Sequence, residues 1–407
     1  MKLIATLVVA AFAAPAFAQD KPAAQPAPSW HGGKPPALAE STLHPFAPHM
    51  TGRPAKELPL NTLKVPAGFK VEVWADGIPE ARSLALGDKG TVFVSNRNAK
   101  NVYAVTDQGG KREVKTVLKG LDAPNGIVFN KGTLYVAERG RITRYDGIET
   151  KLDSPGEGKV VIDNLDPNRQ AGHFWKYLAM GPDGKLYFNI GAPGNIVMPS
   201  YNEASIMRVD PDKGTLEQVA RGVRNSVGIA FNPKNKDVWF TNHGRDWQGN
   251  DIPNDTLHRV PIKSAAVPNF GYPFCHQGNV LDPDFGKGRS CAEFAKPAQL
   301  LGAHIAPLGL KFYDGKMFPA EYQNSIFIAM HGSWNRETKQ GYNVMRVKLD
   351  EKGNASKPEP FLTGFLQDEK ADPPMWGRPV DVLVLKDGSM LVSDDYNGII
   401  YRVTYGK

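Results

Sequence analysis

Polar residues begin several apolar, strand-like segments of this 407-residue chain. A His at such a position can take up a proton near neutral pH, and the planar fork of an Arg pairs well with carboxylates. If the segments converge on one axis, these residues form a cationic pocket suited to a planar polyanion. For any single Arg, a salt bridge between neighbouring units is an equally good interpretation. The positions are Arg82, Asn125, His173, Arg224, Asn225 and Arg378.

The segments belong to a unit of strand, turn, strand and strand that recurs six times. The units begin at Ala81, Ala123, His173, Arg224, Ala306 and Arg378, and short apolar runs at Glu113, Lys159, Leu216 and Glu359 fit a fourth, outer strand. This repetition predicts an all-β, six-bladed β-propeller with four-stranded blades. The run GFKVEVWADG at Gly68 is expected to supply the outer strand of the last blade and close the ring. A β-sandwich or two smaller β domains would lack this self-similarity.

Composition agrees with a globular β protein. Hydrophobic residues make up 41% of the chain, and 41 Gly and 33 Pro indicate many turns. The net charge of +7, which becomes +6 if Lys2 is removed with a signal peptide, is spread over many turns. Nucleic-acid binding, which favours one concentrated basic patch, is therefore not expected.

The N-terminus has the features of a cleavable signal peptide. Lys2, the apolar run from Leu3 and the Ala16-Phe17-Ala18 pattern predict removal of residues 1–18 and a periplasmic or secreted protein. The alternative is a membrane anchor, but the run is short and Pro15 interrupts it. Residues 19–62 form a Pro/Ala-rich lead segment that is either extended over the ring or disordered. The propeller is predicted for residues 63–407, with an insertion at 261–305.

The two cysteines, Cys275 and Cys291, lie in this insertion. In an exported protein their expected state is a disulfide. Metal ligation would need further partners, and His276 alone is a weak candidate. The chain has no Cys-x-x-Cys-His motif, so no covalent c-type haem is expected.

Several longer motifs carry a family resemblance, which spans Leu63 to Tyr405. The motifs are HFWKYLAMGPDGKLYFNIGAPGN at His173, RGVRNSVGIAFNP at Arg221, FTNHGRD at Phe240, NFGYPF at Asn269, HGSWNR at His331 and GRPVDV at Gly377. Together they resemble the glucose/sorbosone dehydrogenase family, exported six-bladed propellers that use pyrroloquinoline quinone (PQQ). The similarity is closer to its sorbosone dehydrogenase-like branch.

The resemblance implies that His173 is the general base that takes a proton from the sugar. In the family an acidic residue precedes this His and orients it, whereas here the position is Gly172. Asp163 or Asp166 is a candidate for the orienting group. From the residue alone, a His before a strand is more often an ordinary loop residue.

The resemblance also implies the cofactor contacts. Arg224 and Asn225 match a pair placed against the quinone oxygens, and Arg378 matches an Arg that pairs with a cofactor carboxylate. Arg336 falls near a family Lys with a related role, and Asn125 falls near a family Gln that touches the cofactor.

A calcium ion is implied at the loop that begins with His243. Its ligands would be the main-chain carbonyls of Gly244 and Arg245, since Ca²⁺ prefers oxygen ligands. Asp255 matches an acidic residue near this loop, or alternatively caps a turn.

Other polar and aromatic residues have less specific interpretations. Trp334 and Trp376 could stack on a flat ligand, although packing is the more usual role of a Trp. Asp394 and Asp395 could suggest acid/base chemistry, but at a strand end before Asn397-Gly398 they are expected to cap the turn.

These observations predict a PQQ- and Ca²⁺-dependent dehydrogenase that oxidises an aldose, a sorbosone-like aldehyde or a related sugar. Electrons would pass to an external acceptor, such as a c-type cytochrome or a quinone. Two alternatives stay open: a lactonase-type, metal-dependent hydrolase, and a non-catalytic binding module.

Overall fold

The computed structural model describes residues 29–45, 54–166 and 172–406. The predicted signal peptide and parts of the lead segment lie outside these ranges. In the described ranges no helix has both the length and the apolar character needed to cross a membrane.

Six antiparallel sheets of four strands form the blades of a β-propeller, which confirms the predicted fold. The strands, from the innermost outwards, are listed by blade. Blade 1 contains Leu84–Leu86, Val92–Ser95, Val102–Gln108 and Lys111–Leu118; blade 2 contains Gly126–Asn130, Thr133–Ala137, Ile142–Asp146 and Lys159–Ile162; blade 3 contains Leu178–Met180, Leu186–Ile190, Ser205–Val209 and Leu216–Arg221. Blade 4 contains Ile229–Phe231, Val238–Asn242, Asn254–Val260 and Gln299–Ala303; blade 5 contains Pro307–Phe312, Ile326–Met330, Asn343–Val347 and Glu359–Leu362; blade 6 contains Pro379–Val384, Met390–Asp394, Ile399–Tyr405 and Phe69–Ala75.

Helical structure is limited to short 3₁₀ turns. They are Ser29–His31, Pro36–Leu38, Ala55–Glu57, Leu60–Thr62, Ile148–Thr150, Cys291–Glu293 and Ala320–Tyr322.

The ring closes as predicted, with an N-terminal strand as the outer strand of the last blade. Phe69–Ala75 pairs antiparallel with Ile399–Tyr405, so that Phe69 lies opposite Tyr405. The Phe69 ring makes edge-on contacts with Phe318, Tyr322 and Phe361 at centroid distances of 4.8, 4.9 and 5.1 Å. Such aromatic pairs add about 0.5–1.5 kcal/mol each beyond simple burial, so they help to hold the closure.

The innermost strands of successive blades contact one another around the ring, and blade 6 returns to blade 1. Asp381 fills the channel between them. Its carboxylate accepts hydrogen bonds from the Leu84 amide at 2.9 Å and from the Tyr177 hydroxyl at 3.0 Å. Blades 1, 3 and 6 are thereby joined in the channel.

The insertion differs in extent from the prediction of 261–305. Its last part, Gln299–Ala303, is the outer strand of blade 4, which the sequence pattern did not reveal. The remainder holds a small hairpin of Cys275–His276 and Val280–Leu281. Cys275 and Cys291 form the predicted disulfide, with their Cα atoms 5.6 Å apart.

Candidate active site

A cavity of about 620 Å³ lies on the face where the innermost strands begin. This volume is in the range typical of pockets for small molecules and cofactors. All six blades and the lead segment contribute to its wall. The polar lining residues are Arg82, Arg97, Asn98, Arg139, His173, Asn195, Arg224, Asn225, His243, Asp246, Asp255, His304, His331 and Arg378.

His173 lies in this wall, just before the innermost strand of blade 3. Its Nδ1 is 2.9 Å from the Ala192 carbonyl oxygen. Burial, and then the positive charge of Arg224, lower the pKa of His173 well below its ordinary value. The imidazole is therefore neutral, Nδ1–H donates to the carbonyl, and Nε2 carries a lone pair. This is the protonation state that a general base needs.

The position before this His, Gly172, has no room for an acidic side chain. Its φ is +120°, and a Cβ at this position would lie 2.3 Å from the Pro193 carbonyl oxygen. A side chain therefore does not fit here. Asp166 pairs instead with Arg139, at 3.7 Å, and neither it nor Asp163 bonds to His173 in the described part of the chain. The Ala192 carbonyl is the group that orients the imidazole.

Arg224 is held on every side of its guanidinium. Nε donates to the Asn195 carbonyl at 2.8 Å, and Nη2 donates to the Asn195 Oδ1 at 2.9 Å. Nη1 donates to the Gly244 carbonyl at 2.8 Å, and Asp246 forms an ion pair with Nη2 at 2.9 Å. The charge of Arg224 is thus neutralised within the protein. Asn195 and Asp246 were not singled out from the sequence.

Asn225 is positioned by His243. Burial lowers the pKa of His243 to about 4, so this imidazole is neutral too. Its Nε2 lies 2.9 Å from the Pro307 carbonyl and must donate, so Nδ1 accepts from the Asn225 amide nitrogen at 3.1 Å. The Asn225 side chain is therefore fixed next to His173 in the wall.

In the loop predicted to bind calcium, the backbone groups of Gly244 already have hydrogen-bond partners. The Gly244 carbonyl accepts the hydrogen bond from Arg224, and the Gly244 amide donates to Asp255 at 2.8 Å. Asp255 also accepts from the Ala306 amide at 2.8 Å, and burial raises its pKa to about 6. A cation on the Gly244 carbonyl would lie beside the Arg224 guanidinium. The loop therefore fits a calcium ion poorly in this conformation.

Arg245 follows in the loop, and its side chain points away from the cavity. Its Nη1 forms ion pairs with Asp282 at 2.7 Å and with Asp284 at 3.0 Å. Both acidic residues belong to the insertion, so this contact ties the loop to the insertion. The positive charge of Arg245 is balanced outside the cavity.

The opposite wall contains a second network, centred on Asp395. Arg82 forms an ion pair with Asp395 at 2.6 Å, and His331 Nε2 donates to the same carboxylate at 2.8 Å. Arg378 Nη2 donates to His331 Nδ1 at 2.9 Å. Burial, followed by the charge of Arg378, lowers the pKa of His331 to about 3. Asn125 lies behind the wall, where it accepts a hydrogen bond from Arg82 at 2.7 Å.

Arg97 adds a further positive charge to this wall and was missed in the sequence. It follows the second strand of blade 1, and its guanidinium lies 4.8 Å from the centroid of the Trp175 ring. Its Nε has no hydrogen-bond partner. Burial, and then the charge of Arg82, lower the pKa of Arg97 to about 10. Three Arg side chains thus face two buried carboxylates, Asp395 and Glu80, and the wall keeps an excess of positive charge.

The remaining predicted residues fall in different places. Arg336 does not line the cavity; it bonds to the Asn250 carbonyl at 2.8 Å and to Asp251 at 3.2 Å. Trp334 does line the cavity. Trp376 is instead packed against Phe365 at a centroid distance of 5.0 Å.

Asp394 and Asp395 were both predicted to cap a turn, and of the two Asp394 does so. Asp394 accepts hydrogen bonds from the amides of Tyr396 at 2.9 Å and Asn397 at 3.3 Å, as a turn cap does. Asp395 was expected to have the same role, but this prediction was wrong. Its side chain points into the channel because two cationic or donating partners, Arg82 and His331, lie there.

Comparison with known proteins was consistent with this fold. The model of the TrAA12-like family matches residues 63–285 and 279–406. An uncharacterised protein of Borreliella burgdorferi is 34% identical over 358 residues, which cover 85% of this chain and 92% of that protein. A pyrroloquinoline quinone-dependent pyranose dehydrogenase of Coprinopsis cinerea is 25% identical over 343 residues, which cover 72% of this chain and 46% of that enzyme. The chain therefore spans about half the length of the latter.

A solved structure shares the architecture. The calcium structure of a Trichoderma reesei carbohydrate-active enzyme of family AA12 superposes with a TM-score of 0.74 at 20% identity, covering 84% of this chain and 97% of that one. At this identity the likeness supports the fold alone. Because the family model matches most of the chain in two overlapping segments, the chain belongs to the TrAA12-like family.

Proposed function

We propose that this protein is a PQQ-dependent dehydrogenase that oxidises a sugar, either an aldose or a sorbosone-like aldehyde. One observation carries the proposal: a neutral His173, with a lone pair on Nε2, lies in the same cavity as a wall with excess positive charge. A base for the substrate and a site for an anionic cofactor are thereby combined. The PQQ dependence of the Coprinopsis cinerea relative agrees with this interpretation.

The cavity suits PQQ, a planar molecule with three carboxylates. Arg97 has an Nε without a partner, and it lies with Arg82 and Arg378 around Asp395, with Glu80 as the other nearby carboxylate. These three Arg residues would hold cofactor carboxylates, because Arg pairs with planar anions. Arg224 and Asn225 would lie against the quinone end. Bound PQQ would supply a carbon that accepts hydride from the substrate.

His173 would act on the substrate hydroxyl. Its Nε2 accepts the proton while Nδ1–H keeps its hydrogen bond to the Ala192 carbonyl. This carbonyl fixes the ring orientation and favours the imidazolium that forms. Because the pKa of His173 lies well below its ordinary value, the base stays unprotonated in mildly acidic solution.

Calcium has less support than PQQ. The candidate ligands, the carbonyls of Gly244 and Arg245, stay a prediction based on the family resemblance. The hydrogen bond from Arg224 to the Gly244 carbonyl opposes a cation there. We therefore assign no part of the reaction to calcium.

The alternatives lead to different experimental outcomes. A lactonase-type hydrolase would hold its metal with several acidic or His side chains. Among residues 29–45, 54–166 and 172–406, no group of three or more His, Cys, Asp or Glu side chains could hold a metal ion. A binding module would bind a protein partner and have no turnover. Export of the protein and an external electron acceptor belong to the proposal and rest on the sequence.

The test is a titration of the metal-free protein with PQQ, monitored through the cofactor's absorption. A panel of aldoses and sorbosone-like aldehydes is then added. Saturable binding and bleaching of the quinone absorption by one sugar are expected. An Arg144→Met variant, which removes a surface charge, serves as a control for non-specific anion binding. No saturable binding, with or without added Ca²⁺, would contradict the proposal. Binding without bleaching by any sugar would contradict the dehydrogenase activity and favour the binding module.

A further inference from the structure

The lead segment, which precedes the blades, lies against the cavity. Three of its backbone carbonyls accept hydrogen bonds from side chains of the loops around the site. The pairs are Trp247 Nε1 with the Trp30 carbonyl, Asn195 Nδ2 with the Gly32 carbonyl at 2.6 Å, and Arg245 Nη2 with the Gly33 carbonyl at 3.0 Å. Backbone contacts of this kind fix the path of the segment regardless of its own side chains.

Gly33 allows this close approach. Its φ is +74°, and a Cβ would lie 2.4 Å from Arg245 Nη2 and 2.7 Å from Ile196 Cγ2. A residue with a side chain would push the segment away from the loop. The sequence of the segment is therefore suited to its place over the cavity.

Asn195 connects the segment to the proposed active site. Its Nδ2 donates to the Gly32 carbonyl, while its Oδ1 accepts from Arg224 at 2.9 Å and from the Asp246 amide at 2.7 Å. One buried side chain thus holds both the lead segment and Arg224. The segment has a defined position relative to the chemistry of the cavity.

The segment reaches the cavity through Pro45 and, with a larger side chain, through Trp30. Trp30 lines the cavity and remains 36% exposed, whereas Trp247, which supports the segment, is only 3% exposed. Trp334 also lines the cavity, with its ring 5.6 Å from that of Trp247. An indole that is fixed by its backbone but open on one side offers a flat apolar surface to a ligand.

We infer that Trp30 contacts the substrate and that the lead segment supplies part of the substrate wall. The substrate class that fits is a sugar in its closed ring form, because such a ring has an apolar C–H face for the indole and hydroxyls for the polar wall. The inference rests on the proposed function, because it takes the bound sugar to be the substrate of the proposed dehydrogenase reaction. The part of the proposed cofactor site at Arg82, Arg97 and Arg378 has no hydrogen bond or ion pair with the described residues of the segment, whereas Arg224 is linked to it through Asn195.

The test measures sugar binding directly, without turnover. Saturation-transfer NMR with D-glucose, D-galactose and D-xylose as probes is recorded on the full chain and on Trp30→Ala. We expect transfer to at least one probe to fall fivefold or more. Trp30→Phe, which keeps an aromatic face, should retain at least half of the transfer. Thr42→Ala, an exposed position of the same segment that does not line the cavity, is the matched control and should stay within twofold.

A second variant separates the segment from its Trp. Gly33→Val should displace the segment from Arg245 and lower transfer as Trp30→Ala does. The affinity for PQQ, titrated in parallel, should stay within twofold in the Trp30 and Thr42 variants. Equal transfer in Trp30→Ala and the unsubstituted protein, or no transfer to the unsubstituted protein, would overturn the inference. Loss of transfer in Trp30→Ala in a protein that does not bind PQQ would support it and contradict the proposed function.

Discussion

The wall of the cavity around Arg224 and the wall around Arg82 differ in how their charges are balanced. Arg224 is paired with Asp246 and has further hydrogen bonds to Asn195 and Gly244. On the other side, Arg82, Arg97 and Arg378 surround Asp395, and Glu80 is a second carboxylate that attracts Arg97. The first wall is complete without a ligand, whereas the second keeps positive charge that an anion would balance. The residues of the first wall thus orient neighbouring protein groups, whereas those of the second wall would bind an anionic ligand.

Two histidines in these walls show the same difference. His331 uses both ring nitrogens, one for Asp395 and one for Arg378. His173 uses only Nδ1, for the Ala192 carbonyl. Both rings are neutral because burial lowers their pKa values. Of these two rings, that of His173 has a nitrogen left for a proton from the substrate.

The largest expected effect is at this free nitrogen. His173→Gln should lower kcat by about 10²–10⁴, the usual contribution of a general base, because an amide cannot take up a proton. PQQ affinity should stay within threefold, and both are measured with the same absorption assay. His331→Gln should instead lower thermal stability, since it breaks contacts to two buried groups. Retention of kcat in His173→Gln would move the base to another residue.

Acid should destabilise the fold through the buried neutral histidines. Burial lowers the pKa of His243 to about 4, and those of His258 and His331 to about 3. The unfolded state, with His pKa values near 6.5, then binds more protons, so stability is greatest above pH 6.5 and is lost as pH falls towards 4. Each such His contributes roughly 2 kcal/mol of loss between pH 6.5 and 5. Urea unfolding at pH 7.5, 6 and 5 measures this loss.

Buried carboxylates with raised pKa values oppose this trend, among them Asp255, Asp381 and Asp394, whose pKa values burial raises. The pKa of Asp255 is raised to about 6, so its folded form binds a proton more readily and gains stability as pH falls through 6. This gain from Asp255 offsets part of the stability loss caused by the three histidines, but not all of it. His258 lies between Phe240 and Phe270, so His258→Phe removes one titrating group without touching the cavity. An unchanged pH dependence in this variant would contradict the assignment.

The excess charge of the Arg82 wall is tested at Arg97. Arg97→Met should weaken PQQ binding by about 10- to 100-fold, the range expected for one charge-assisted hydrogen bond. Its thermal stability should stay equal or rise, because the native cation is buried without a full partner. Titration with PQQ and a melting curve measure the two effects.

The matched variant is in the other wall. Arg224→Met should lower stability, since it leaves Asp246 without its ion pair. If Arg97→Met were the less stable of the two, or if it bound PQQ as tightly as the unsubstituted protein, the distinction between the walls would fail.

The smallest effect is expected from calcium. Because Arg224 already donates to the Gly244 carbonyl, removal of Ca²⁺ with a chelator should change PQQ affinity by less than about threefold. The control is the same protein after Ca²⁺ has been added back at millimolar concentration. A much larger loss, reversed by Ca²⁺ and absent with Mg²⁺, would show that the loop rearranges to bind the ion.

The sequence predicted those features that repeat or alternate. The six blades, the closing strand Phe69–Ala75 and the placement of His173 and Arg224 at one cavity follow from strand periodicity and the family motifs. The branch of the family and the sugar stay predictions. The outer strand Gln299–Ala303 was missed because it follows a long insertion and not a short loop.

Other residues depend on contacts that no local pattern encodes. Arg97 and Asp246 lie in loops after a second strand, and their role depends on loops from other blades. Trp30 is held by Trp247, which is 217 residues away in the sequence. Arg336 has the expected sequence position, but the Asn250–Asp251 loop captures its side chain. Such residues become recognisable only when the ring is assembled.

The pairing of Phe69–Ala75 with Ile399–Tyr405 affects how the polypeptide reaches its native state. A chain still being synthesised has five blades and a partial sixth, and two unpaired sheet edges stay exposed until residue 405 emerges. Contacts between such distant segments form slowly because a long loop must close first. The cell therefore has to protect nearly complete chains from aggregation, and truncation of only the last strand should be as damaging as loss of a whole blade.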